Sequence, residues 1–331
     1  MAEFFLDYGL FLAKTVTLVV AFIAVVLVIV AVASKKQSHG KDSIEIKKLN
    51  QKYDDIAMAM NSNILPKDDL KKLAKETKQK HKEQAKAGAE KRKRIFVLNF
   101  HGDIRASAVA SLREEITAVL MVANDSDEVF LRLESGGGVV HGYGLAASQL
   151  MRIRDRNIPL IVAVDKVAAS GGYMMACVAS KIIAAPFSIV GSIGVVAQLP
   201  NFHRLLKKND IDFEQFTAGE YKRTVTMFGE NTDDGRAKFR KEVEDIHLLF
   251  KDFISSHRPQ VDIAKVSTGE HWPAIRAMEN QLVDELKTSD DYLLENNANV
   301  DIYEIKYTTK KSVMEKLGFQ MQQMYDKWRY S

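Results

Sequence analysis

The chain of 331 residues has one cysteine, Cys177, so no internal disulfide framework is possible. Nor is it short of apolar residues. At 46% hydrophobic it is too rich for a disordered or collagen-like chain. Charge of one sign is in small excess only: 47 Lys and Arg stand against 43 Asp and Glu, a formal net of +4. That near balance is made of unequal parts. Residues 1–34 carry a net of −1, residues 35–94 carry 18 basic against 9 acidic groups for a net of +9, and residues 95–331 carry −4. Length alone suggests two domains, whereas charge divides the chain into three pieces of different character.

The first piece contains Thr15 to Ala33, nineteen residues without a charge. About 20 such residues in a helix span a hydrocarbon core of about 30 Å, so this run is long enough to cross a bilayer. A buried core helix normally keeps a polar stripe, and this one has none. Ala31-Val32-Ala33 looks like a small-residue cleavage site. However, the apolar run exceeds the about 7 to 15 residues of a cleaved signal, and the leader before it holds Glu3 and Asp7 against Lys14 alone. The reading is therefore a retained transmembrane anchor over 1–34. Lys35, Lys36, Lys41, Lys47 and Lys48 follow the span, and the positive-inside bias leans the rest of the chain toward the cytoplasm.

The second piece, 35–94, reads as a basic, Lys-rich linker. Leu49, Tyr53, Ile56 and Met60 have the spacing of a short amphipathic helix, Asn61 to Pro66 a break, and Asp68 onward a helical or disordered stretch ending in Lys91-Arg92-Lys93-Arg94. Aromatics interleaved for base stacking are absent, which speaks against nucleic-acid binding. Attraction to anionic lipid headgroups and a plain solvated spacer both remain open.

From Ile95 the pattern becomes that of an α/β domain. Ile95 to Phe100, Val129 to Leu133, Ile158 to Val164 and Ile182 to Ala185 are short apolar runs of strand length. Between the first two, Val109, Leu112, Ile116, Val119 and Leu120 share a helical face. Strands alternating with helices predict a mainly parallel sheet covered by helices, with sites at the carboxyl ends of the strands.

Two loops stand at such ends. Glu134-Ser135-Gly136-Gly137-Gly138 lets amide N–H groups face a ligand with no Cβ in the way. It lacks the Lys-Ser/Thr ending of a phosphate-binding loop and the spacing of a dinucleotide fingerprint, which leaves an oxyanion hole or a tight turn. Asp165 to Tyr173 places Ser170 and Gly171 at a strand-to-helix turn, where a serine either presents a nucleophilic hydroxyl or caps the helix. A nucleophilic serine needs a base. His203, His247, His257 and His271 sit in no distinguishing motif. Lys222 follows an expected strand, Phe213 to Thr217, and by itself reads as a solvated loop lysine.

Together, Ala168-Ala169-Ser170-Gly171-Gly172-Tyr173, Val190-Gly191-Ser192-Ile193-Gly194-Val195 and Gly219-Glu220-Tyr221-Lys222 resemble the signal peptide peptidase A family of membrane-bound serine–lysine proteases. The resemblance covers about residues 95–290 and is closest to the short type with one catalytic domain, the SohB type. It implies a ClpP/crotonase-like repeated β-β-α fold, a peptidase domain over 95–290 and a C-terminal extension over 291–331. It further implies Ser170 as nucleophile, Lys222 (52 positions downstream) as general base, Ser192 as the residue that orients the lysine, and an oxyanion hole of Gly171 with Gly137 or Gly138. Family members usually have Asn-Ser-Pro-Gly-Gly upstream, so Gly136 replaces a proline here.

No metal or nucleotide cofactor is implied. The implied partners are peptide or membrane-protein fragment substrates such as spent signal peptides, membrane lipid around the N-terminal helix, and further copies of the chain. Catalytic sites shared between those copies would lie at a bacterial inner membrane. The apolar stripe of Val243, Ile246, Leu249, Phe250 and Phe253 within 233–257 serves either such packing or the intra-chain core. Two other classes compete with a protease. One is an acyl-CoA enzyme of the crotonase type, for which Glu134 is the acid nearest the Gly-rich loop. The other is a non-catalytic membrane scaffold in which Ser170 is only a cap.

Overall fold

The computed structural model describes residues 2–37, 43–86 and 92–308. Of these, residues up to Ser43, with Tyr307 and Thr308, belong to one compact unit, and Ile44–Lys306 form another. In the first unit the apolar run folds as helix α1, Ala2–Gln37. Its stretch Asp7–Val28 is long and apolar enough to cross a membrane, and none of it is buried.

The remaining elements follow in chain order. First come β1 (Ser43–Lys48), α2 (Leu49–Ile64), α3 (Lys67–Lys86), β2 (Arg94–Gly102), α4 (Val109–Val122), β3 (Glu128–Ser135) and α5 (Val140–Arg154). Then come β4 (Leu160–Val164), β5 (Val167–Ala169), α6 (Gly171–Ala176), β6 (Lys181–Ala184), β7 (Ile189–Gly191) and α7 (His203–Lys208). The series closes with α8 (Asp233–His257), α9 (Ile263–Val266), β8 (His271–Pro273), α10 (Ala274–Glu279), β9 (Glu285–Leu286), α11 (Ser289–Asn296) and β10 (Asp301–Thr308).

The described strands form one sheet in the order β1-β10-β2-β3-β4-β6-β9, from which β5, β7 and β8 branch at β3. Neighbours from β10 to β9 run parallel, and β7–β8 is antiparallel. A parallel sheet buried on both faces accounts for the unbroken apolar runs. Alternation sends Phe96, Leu98 and Phe100 into one cluster with Leu131, Leu133 and Val162, beneath α4, α5 and α6. Ile95 and Val97 point the other way, with Phe130, Ile161 and Ala163, where Leu49 of α2 and Leu293 of α11 cover them. The five α4 residues picked out by spacing are all buried. At about 1.5–3 kcal/mol for each large apolar side chain fully removed from water, that face holds the helix in place despite its lack of a side-chain cap.

The compact body is wider than 95–290. β10, from the C-terminal stretch, lies between β1 and β2, so residues on both sides of the expected peptidase domain complete its sheet. One buried side chain stitches them together. Asn50 Nδ2 donates to the carbonyls of Asn297 and Val300, and Asn50 Oδ1 accepts from Ile302 N at 2.8 Å. The amphipathic helix expected from Leu49 is α2, and the break before Pro66 separates it from α3. By contrast, Phe213 to Thr217 forms no strand. These residues are exposed outside the sheet, where Phe213 packs against Phe228.

Removing the Asn50 side chain strands the Ile302 N–H and two carbonyls in a buried site. Asn50→Ala is therefore expected to lower stability by about 2–3 kcal/mol, read from chemical denaturation followed by circular dichroism. A change below about 0.5 kcal/mol, the size of an ordinary surface substitution, would show that the segment before Ile95 is not part of the body.

Candidate active site

Three parallel strands end side by side. Ser135 at the end of β3 pairs with Ala168 of β5, and Ala168 pairs with Val190 of β7. The chain leaves these strands through Gly136–Gly138, Ser170-Gly171 and Ser192 respectively, so the ladder register alone gathers the three motifs at one carboxyl edge. Ala169 stands opposite Gly191, and Ser170 N donates to Gly191 O at 2.8 Å.

Ser170 is the hinge of the strand-to-helix turn. Its φ of 52° and ψ of −118° lie where side-chain-bearing residues rarely go, at a cost on the order of 1–3 kcal/mol. The turn is held from both sides, by Ser170 N to Gly191 O and by Met174 N to Ser170 O. Although Ser170 occupies the N-cap position of α6, its side chain accepts no capping hydrogen bond. The hydroxyl is half-buried and has no hydrogen-bond partner among the described residues. Ser192 has the same positive φ, 52°, after Gly191 at φ 98°, and its N–H donates to Glu270 O at 2.6 Å.

The Gly-rich loop presses directly on this turn. A Cβ at Gly137, where φ is +88°, would lie 2.8 Å from each of Ala169 O, Gly171 N and Ser170 Cβ. Only glycine permits both that conformation and that approach. Gly138 instead abuts the Ile104 backbone, and Val139 N anchors the loop by donating to Ile104 O at 2.8 Å. The two glycines also differ in their N–H groups. Gly137 N donates to Ser135 Oγ at 3.1 Å, whereas the N–H groups of Gly138 and Gly171 have no acceptor among the described residues. Each of the two loops thus keeps one backbone N–H without an acceptor among the described residues.

The helix after Ser170 is firmly seated. Tyr173 is fully buried and donates its hydroxyl to Leu282 O at 3.0 Å. Cys177 is buried and its Sγ donates to Met174 O. Burial pushes its thiol pKa well above the ordinary range, which leaves it a packing group and no nucleophile. Glu134 does not serve the acyl-CoA reading. It lies on the face of β3 opposite Ser135 and pairs with Lys166 at 3.1 Å and His101 at 3.6 Å.

Lys222 is not brought to Ser170 within the chain. It sits in an exposed loop, its N–H donating to Gly219 O at 3.2 Å, and its ammonium has no ion pair or hydrogen bond among the described residues. The surrounding stretch, residues 196–228, exposes Val196, Leu199, Ile211, Phe213, Phe216 and Tyr221, with Phe216 91% accessible. In α8, Phe250 and Ile254 enter the core while Leu248 and Leu249 stay exposed, so its stripe is divided between core and surface.

Sequence reasoning missed Tyr143, the fully buried residue whose ring lies where a Cβ on Gly171 would go. It also missed Trp272, which fills the space beside Gly191. Neither carries a local signal. Tyr143 reads as one more apolar residue of α5, and Trp272 reaches the site through the antiparallel pairing of β8 with β7.

The site is thus a strained serine turn beside a Gly-rich loop at the edge of a ClpP-like α/β sheet, an arrangement suited to acyl transfer. The chain belongs to peptidase family S49: residues 3–150 match the model described as Peptidase family S49 N-terminal, and residues 152–302 match Peptidase family S49. It is 48% identical over 327 residues to a Haemophilus influenzae protein named Probable protease SohB, covering 96% of this chain and 92% of that one. A Buchnera aphidicola protein (subsp. Schlechtendalia chinensis) of the same name is 49% identical over 303 residues, 88% of this chain and 99% of that one. These likenesses support a protease over the acyl-CoA enzyme and the scaffold.

The strain at residue 170 is measurable. Ser170→Gly is expected to be about 1 kcal/mol more stable than Ser170→Ala, compared by thermal unfolding. Equal stabilities would mean that the turn relaxes in solution.

Proposed function

We propose that the protein is a membrane-anchored serine endopeptidase that cleaves membrane-associated or signal-peptide-like substrates through a Ser170–Lys222 dyad. The observation that carries this reading is the strained, uncapped Ser170 with Gly137 packed against it. Evolution rarely retains a side chain at such φ and ψ without a use for it.

In the proposed reaction, Lys222 in its neutral form accepts the Ser170 proton as Oγ bonds to the peptide carbonyl carbon and the carbonyl electron pair moves onto oxygen. Gly171 N–H and Gly138 N–H receive that oxyanion, each such donor being worth about 3–4 kcal/mol. The C–N bond then breaks, the departing amine takes the proton from Lys222, and an acyl-enzyme remains on Ser170. Lys222 next activates water, which releases the acid and restores the hydroxyl. No step needs a metal or nucleotide. Ser192, which follows the strand paired with the Ser170 strand, orients the lysine.

A lysine is a base only when neutral, and burial favours that form. Lys222 is exposed in the single chain, which supports a site completed by a neighbouring copy that covers the apolar surface of 196–228 and supplies its own Lys222. Helix α1 supports single-pass anchorage in the inner membrane, and the lysines after it lean the peptidase body to the cytoplasmic side.

Ser170→Ala and Lys222→Ala are each expected to abolish cleavage of a hydrophobic peptide by the detergent-solubilised protein. Mixing them in equal amounts is expected to restore roughly a quarter of wild-type turnover, since random neighbours unite an intact serine with an intact lysine at that frequency. Cleavage by either variant alone would sink the dyad. A mixture as inactive as its components would place both groups within one chain.

A further inference from the structure

We infer that Ser135 and Tyr143 are positioning residues that hold the Gly-rich loop so that Gly138, and not Gly137, is its oxyanion donor. This rests on the protease reading of Ser170.

The hydrogen bonds around Tyr143 have only one consistent direction. Its hydroxyl has a single proton, which goes to Asp103 O at 2.8 Å. The 2.6 Å contact between Ser135 Oγ and Tyr143 Oη must therefore use the serine proton. Ser135 Oγ is then left as an acceptor, and the N–H it accepts is that of Gly137, at 3.1 Å. The result is a hydrogen-bonded chain in which Gly137 N–H donates to the Ser135 hydroxyl, that hydroxyl to the Tyr143 hydroxyl, and the Tyr143 hydroxyl to the Asp103 carbonyl. Both side chains are buried, Ser135 at 2% and Tyr143 at 0% exposure. No water competes for these groups, and each member polarises the next. Burial also holds the phenol pKa above its ordinary value, so Tyr143 stays a donor at physiological pH.

This chain touches both halves of the oxyanion hole. One end commits the Gly137 N–H inward and so fixes the peptide plane between Gly136 and Gly137, directly before the peptide that carries the Gly138 N–H. Meanwhile the Tyr143 ring supports the other half, since a Cβ on Gly171 would clash with ring carbon Cγ. Gly102 leaves room for the junction, because a Cβ there would strike both hydroxyl oxygens. A loop with three successive glycines is loose by itself, and the buried hydroxyls restrain it.

Tyr143→Phe keeps the ring against Gly171 and removes only the hydroxyl, whereas Ser135→Ala removes the acceptor for Gly137. Each is assayed as the full chain well below its own unfolding midpoint, on a peptide that wild type cleaves. Two inhibitors are built on that peptide, one ending in an aldehyde and one in the corresponding alcohol. With the aldehyde, Ser170 Oγ adds to the carbonyl carbon, the π pair moves to oxygen and the serine proton passes to the base, so its binding uses the oxyanion hole. The alcohol forms no such adduct.

In both variants kcat is expected to fall about 10- to 100-fold with KM changed less than about twofold. Aldehyde inhibition should weaken by a similar factor and alcohol inhibition hold at the wild-type value. The double variant should be no worse than the poorer single, because the two act through one chain. Equal weakening of both inhibitors, or no change in either, would overturn the positioning role while leaving the protease reading intact if Ser170→Ala is inactive. Full activity in Ser170→Ala would overturn the reading itself.

Discussion

The register of the β3–β5–β7 ladder is the constraint on which the site depends. Because Ser135, Ala168 and Val190 lie abreast, three loops far apart in sequence leave the sheet at one edge. A slip of one residue in β5 would turn Ser170 to the other face of its strand and separate it from Gly137. Core packing opposes that slip, since Ala168 of β5 and its partner Val190 of β7 are both buried in the core cluster. Core packing and the geometry of the serine turn are in this sense one property.

The strain at Ser170 is affordable within such a frame. A penalty on the order of 1–3 kcal/mol is offset by the backbone hydrogen bonds to Gly191 O and from Met174 N, and by the full burial of Tyr173 in α6. Among the described residues no side chain hydrogen-bonds the Ser170 hydroxyl to act as its base. Lys222 and the aromatic side chains around it lie on exposed chain, a surface that stays exposed unless another molecule covers it. Under the proposed function, one event buries Phe216 and its neighbours and removes water from Lys222, so that assembly and activation coincide.

Much of this was legible in the sequence because it is local. The strands announce themselves by apolar runs, α4 by its 3.6-residue spacing, and Ser170 and the Gly-rich loop by small residues at strand ends. What escaped depends on residues remote in the chain. Asn50 looks like a linker asparagine until Asn297, Val300 and Ile302 surround it. The pairing of β10 between β1 and β2 joins the two ends of the body, and nothing in either end specifies the other. Tyr143 is indistinguishable from a core aromatic by pattern, and only its hydroxyl partners set it apart. Phe213 to Thr217 misled because apolar residues of strand length can equally make an exposed surface.

The central claim is that Ser170 is the nucleophile. The most direct measurement treats the detergent-solubilised full chain with a fluorophosphonate, which phosphonylates activated serine hydroxyls, and locates the adduct by mass spectrometry of its peptides. The account predicts an adduct on Ser170 that disappears when Lys222 is replaced by alanine. An unmodified Ser170, or labelling that survives the loss of Lys222, would contradict it.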